Sequence, residues 1–108
     1  MNRANSEKAL WIGGARVVQP KRHGTLGDAD GAYVNVIALA AGRSDFRLQI
    51  KNALEELNLT LVRLADAELL AERLEKHTMH KELHVLAKEV NRTGSIRFDV
   101  FHTFDAGT

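Results

Sequence analysis

The clearest alternation of apolar and polar positions lies near the C-terminal end. In Ser95–Asp105, SIRFDVFHTFD, Ile96, Phe98, Val100, His102 and Phe104 share one parity, and Arg97, Asp99, Phe101, Thr103 and Asp105 the other. Side chains on an extended chain point to alternate faces, so this segment predicts a strand with one side on a core. Ala32–Ala40, AYVNVIALA, is apolar at nearly every position, the pattern of a central strand covered on both sides. Ala9–Gln19, ALWIGGARVVQ, is apolar and β-branched around Gly13-Gly14. It reads as one strand with a bulge at the glycines, in preference to a tight hairpin whose arms would be only about four residues each. Leu59–Leu64, LTLVRL, reads as a short strand.

Helical periodicity marks three other segments. Phe46, Ile50, Ala53, Leu54 and Leu57 form one apolar stripe, with Ser44 as the expected cap, Asp45 at the positive end of the dipole and Asn58 as the stop. Asp66 is placed to cap a second helix, whose stripe is Ala67, Leu70, Ala71 and Leu74. A third stripe is Met79, Leu83, Leu86, Ala87 and Val90. At about 100° per residue, the second and third stripes would point in nearly opposite directions on one continuous helix. The chain should therefore break near Lys76–Thr78, with Thr78 as the new cap, and Gly94 suits the left-handed residue that ends the third helix. Pro20–Gly31, PKRHGTLGDADG, has the composition of a loop.

The order is thus strand, strand, helix, strand, helix, helix, strand. It predicts an α+β two-layer sandwich, with a sheet of about four strands and two to three helices on one face, in a single domain over residues 1–108. If the strands within Ala32–Leu64 are parallel, the helix between them makes a right-handed crossover. The element order resembles a ferredoxin-like arrangement or a relative of it. That resemblance implies a fold and no function, because such sheets carry many activities.

Composition narrows the chemistry. With 44% hydrophobic and 27% charged residues, the chain is expected to fold rather than stay disordered. It contains no Cys, which excludes disulfides, thiolate metal sites, iron–sulfur clusters and a cysteine nucleophile. Two glycines and Arg16 interrupt the first apolar stretch, unlike a signal peptide, and no apolar run approaches the ~20 residues of a membrane span. The expectation is a soluble cytoplasmic protein without membrane contact. The formal net charge is +1, with acids and bases interspersed, so nucleic acid is not an expected partner.

HTMHKELH, residues 77–84, holds three of the five histidines, His77, His80 and His84. The helix break takes His77 out of line, and His80 and His84 point away from the apolar stripe. The order H-K-E-L-H also departs from the zinc-binding H-E-x-x-H. This segment is therefore read as a solvated helix start, with no metal and no cofactor. Asp28-Ala-Asp30-Gly31 lacks the further oxygen ligands of a calcium loop. Gly13, Gly14, Gly24 and Gly27 match no phosphate-binding motif, and Ser6, Ser44 and Ser95 lie in no nucleophile elbow. No catalytic residue is assigned. His102 sits on the apolar parity of its strand, either as a core or rim histidine or at the mouth of a pocket. Lys21, Arg22 and His23 form the one compact basic group, on the loop.

These exclusions favour binding over catalysis. The first reading is a protein-interaction or regulatory module whose partner is another protein or a second copy of itself, through Phe101, Trp11 and Tyr33 on an uncovered sheet face. The alternative is a small-ligand sensor or small enzyme. Its pocket would lie between the sheet and the 20–31 loop, near Lys21, Arg22, His23 and His102. A third is an immunity or inhibitor-type protein.

Overall fold

β1 (Ala9–Val18) and β2 (Gly31–Ala40) pair antiparallel over their full length, with Ala9 opposite Ala40 and Val18 opposite Gly31. The computed structural model describes residues 8–21 and 23–105. After β2 come α1 (Arg43–Glu56), β3 (Thr60–Leu69), α2 (Leu70–Lys76), α3 (Lys81–Thr93), β4 (Arg97–Phe98) and β5 (His102–Phe104). β3 pairs with the other side of β1, while β4 and β5 follow one another along the free side of β2. All pairings are antiparallel. β2 and β3, each antiparallel to the β1 between them, are therefore parallel to one another, and α1 crosses over β1 to join them. The α+β class is the one the patterning predicts, and so is the element order as far as α3; the single last strand expected over Ser95–Asp105 is two short strands, β4 and β5. Among the described residues no helix is long and apolar enough to cross a membrane.

The larger core lies between the sheet and α1. Ala32, Val34, Val36, Ala38 and Ala40 of β2 and Ala15 and Val17 of β1 face Phe46, Ile50 and Leu54, which are fully buried. Burying each of these three side chains contributes roughly 1.5–3 kcal/mol from transfer alone. Gly13 allows the close approach: a Cβ there would lie 3.0 Å from Leu64 Cδ1 and 3.1 Å from Phe46 Cε2. The first strand is continuous through Gly13-Gly14, as expected. The bulge belongs to its neighbour, because β3 spends one extra residue between the partners of Ile12 and Gly14.

The helices do not share one face. Ile12 and Ile37 have the opposite parity and are buried with Leu70, Met79, Leu83, Ala87 and Val90 of α2, α3 and the segment between them. The cause is the double-sided apolar pattern of β2, whose Ile37 and Leu39 require cover as much as Val36 and Ala38 do. α2 and α3 thus add a partial third layer behind the sheet-and-α1 sandwich, and they reach over only part of that face.

Local details depart from the expected pattern for identifiable reasons. Ser44 lies inside α1; Asp45 does the work at this end, accepting the Ala41 N–H at 2.8 Å. Asp66 caps no helix. Ala67–Leu69 instead extend β3, because Glu68 and Leu69 pair with Ile12 and Trp11, and that pairing outcompetes local helix preference. α2 is correspondingly short, and only Leu70 in it is buried. The break falls after Lys76 as expected, but the cap of α3 is His80, two residues beyond Thr78. Gly94, at φ 76°, ends α3 in the left-handed conformation and donates its N–H to Val90 O at 2.8 Å. The last strand is interrupted between Phe98 and His102, which reverses its parity: Phe98 faces the α1 side and His102 the other.

Candidate functional site

On the face opposite α1, beyond the reach of α2 and α3, four strands bring one residue each into a row. Arg63 of β3 is opposite Arg16 of β1, Arg16 is opposite Tyr33 of β2, and Tyr33 is opposite His102 of β5. Directly opposed residues in an antiparallel sheet point to the same side. At about 4.8 Å between strands, the row spans roughly 14 Å. Arg16, Arg63, Tyr33 and His102 line an open hollow of about 430 Å³, together with Gly14 and Asn35 on its floor.

Two rings fix Arg16. Its guanidinium carbon is 5.2 Å from the centre of the Phe104 ring and 5.9 Å from that of Tyr33, and the two rings pack 5.2 Å apart at 42°. Cation–π contact of this kind holds a guanidinium in place while leaving its charge unneutralised. Phe104 can lie there because Gly31, its cross-strand partner, has no side chain: a Cβ would come 2.6 Å from Phe104 Cζ and would also strike the Val17 carbonyl oxygen. Among the described residues, Arg16 Nε is buried without a hydrogen-bond acceptor. Among the described residues neither Arg16 nor Arg63 forms an ion pair.

A second hollow, of about 490 Å³, adjoins the first at Asn35 and runs under the α2–α3 connection, past Asp66, Glu68, Arg73, His77 and His80. Of its two acids, Glu68 is already paired, accepting from Arg73 Nε at 2.6 Å and from Lys76 Nζ at 3.3 Å. The hydrogen bond from Arg73, with the further bond from Lys76, holds the Glu68 carboxyl below its ordinary pKa. Asp66 occupies the bulge of β3 at φ 54°, in the left-handed region. His77, His80 and His84 are exposed, and among the described residues no three metal-ligating side chains cluster.

Of the residues singled out in the sequence, Tyr33 and His102 meet in the row. Tyr33 is 53% exposed, and His102 lies on the open side of β5 rather than in a core. Trp11 and Phe101 are elsewhere. Trp11 packs on Phe46 at 6.1 Å, and Phe101 packs on Phe98 at 5.8 Å; both lie against the α1 core, half-buried. The three aromatics therefore form no common surface, because the interruption of the last strand turns Phe101 inward. Lys21 and His23 line a separate hollow of about 520 Å³ against Glu55 and Asn58, and His23 Nδ1 lies 2.7 Å from Asp28. Arg22 falls outside the described residues. The loop and His102 thus border different hollows.

Arg16, Arg63 and Phe104 enter only through the register. Arg16 carried one signal, a lone charge between apolar neighbours in a strand. Arg63 carried none, because a bulge at Val62 decides its face: β3 spends an extra residue between the partners of Arg16 and Val17. The chain matches no protein-family model, no curated protein and no solved structure.

Proposed function

We propose that this chain is a small-ligand-binding module that holds an anion on the bare half of its sheet. The observation that carries the reading is the opposed pair Arg16 and Arg63, without an acid, in a concave hollow. Like charges directly opposite one another destabilise a sheet. A buried donor without an acceptor, such as Arg16 Nε, costs about 1–3 kcal/mol. An anion between the guanidiniums relieves the repulsion and supplies acceptors. Arginine suits this work because its planar fork meets carboxylate or phosphate oxygens two at a time. No residue of the row stands in a nucleophile–base arrangement, so the role assigned is binding. It corresponds to the ligand-sensor alternative, centred on His102 and Tyr33 and not on the 20–31 loop.

The test is thermal unfolding with inorganic phosphate at constant ionic strength. Binding to the folded state alone should raise stability with the logarithm of phosphate concentration once that exceeds Kd, by about 2.7 kcal/mol at a hundredfold excess. Arg63→Gln should abolish the rise. No rise, or one of equal size in the variant, would remove the proposal.

A further inference from the structure

We infer that the row takes a free nucleoside monophosphate, with the phosphate on Arg16 and Arg63 and the base laid against Tyr33. This deepens the anion-binding reading and rests on it.

Charge argues for phosphate. Two guanidiniums on directly opposed positions offer two positive charges and two donor forks, which match a phosphate dianion; one carboxylate would occupy one fork and leave the second arginine unpaired. The aromatic side argues for a base. Tyr33, the next residue along the row from Arg16, is 53% exposed, so a planar ligand can reach its ring. That ring is backed by Phe104 at 5.2 Å, and Phe104 is seated over the bare backbone of Gly31. Arg16 and Tyr33 are therefore held in place before a ligand arrives, which lowers the ordering cost of binding. Stacking of a base on an aromatic ring adds affinity with little dependence on which base is present.

Spacing agrees. Arg63 and Tyr33 are two strand intervals apart, roughly 10 Å, which leaves a sugar's width between phosphate and base. Asn35 follows Tyr33 on the same face of β2 and lines the same hollow, where its amide can both donate to and accept from a base edge. A free nucleotide fits better than a nucleic-acid strand. The row has one phosphate clamp, and the chain's net charge is +1, whereas binding a strand uses a basic groove that follows many phosphates. The hollow, at about 430 Å³, lies in the range of small-molecule sites. The sequence has no glycine-rich phosphate loop, so side chains would do what backbone amides do in such loops.

The experiment is calorimetric titration of the full chain with AMP, GMP, CMP and UMP, with ribose 5-phosphate, and with a single-stranded oligoadenylate, all at one ionic strength. At least one monophosphate should bind one to one and at least tenfold more tightly than ribose 5-phosphate. Tyr33→Ala and Tyr33→Leu should each weaken that monophosphate at least tenfold more than they weaken ribose 5-phosphate, and Tyr33→Phe, which keeps the ring beside Arg16, should preserve the preference for the monophosphate. Arg63→Gln should weaken both. If ribose 5-phosphate equals every monophosphate, the base contact is refuted and the anion reading stands. If neither these ligands nor inorganic phosphate binds, both fall. If the oligonucleotide binds tenfold more tightly than AMP, the occupant is a nucleic-acid strand and the inference is wrong.

Discussion

On the face of the sheet opposite α1, Ile12 and Ile37 lie beneath α2 and α3, while Arg16 and Tyr33, further along the same two strands, stay open. The two halves share backbone, pairing and twist. They differ in side chains along the two central strands: Leu10, Ile12, Ile37 and Leu39 lie on one side of Gly14 and Asn35, and Arg16 and Tyr33 on the other. A helix pair long enough to cover the whole face would have to desolvate two unpaired guanidiniums, which is far costlier than burying isoleucines. The bare half is thus explained by its own residues, and it needs no missing cover.

The comparison can be broken most forcefully through packing. Leu83, 6% exposed in α3, belongs to the covered half, and Leu83→Ala should destabilise by about 2–5 kcal/mol through lost transfer energy and a cavity. Tyr33→Ala removes a larger side chain from the same face, yet should lose only about 1–2 kcal/mol, the worth of its contacts with Phe104 and Arg16. Denaturant melts of both variants decide it. Equal losses would make the bare half a piece of core.

A smaller effect sharpens the contrast by changing sign. In ligand-free protein, Arg63→Gln should raise stability by about 0.2–1 kcal/mol, because it removes a like charge directly opposite Arg16. The same variant should lose the response to phosphate. A destabilised Arg63→Gln protein would mean that Arg63 has a partner within the fold.

The smallest effect lies at the border between the halves. Arg73 and Lys76 lower the folded-state pKa of Glu68 below the value it has in the unfolded chain. Its contribution to stability is therefore complete above the unfolded pKa and is lost as pH falls through the folded one. Wild type should lose melting temperature more steeply than Glu68→Gln on acidification below the ordinary carboxylate range, and the two curves should run parallel near neutrality. The Lys76 side chain is 63% exposed, so solvent screens that part of the pairing and keeps the difference modest. Parallel curves throughout would show that this ion pair contributes nothing.

How far the sequence could reveal all this depended on whether a feature is periodic or inserted. The stripe through Met79, Leu83, Ala87 and Val90, the break before it and the left-handed Gly94 were legible because each rests on a repeating angle or on chirality. The two apolar sides of β2 are legible in AYVNVIALA, and helices on both faces are their consequence. Bulges leave no such trace. Strict alternation from Leu61 would put Arg63 on the same side as Leu61; the extra residue Val62 sends it to the other. Val100, on the apolar parity of the last strand, is 65% exposed because the strand breaks there. Tyr33 and His102 were visible as isolated residues. Only the pairing of four strands makes them neighbours of two arginines.

The irregularities of β3 have a consequence for the protein's life in a crowded solution. β3 is the outermost strand on its side of the sheet, and at ten residues it matches β1 and β2 in length. A long, regular outer strand is a template on which strands of other chains can grow. Here the regular stretches are short, because the register shifts near Val62 and again near Asp66, and Arg63, Asp66 and Glu68 place charge along the remainder. A second chain laid along this border would lose hydrogen-bond phase twice within its length. The same extra residue that turns Arg63 toward the hollow thus also guards the strand against runaway self-templating.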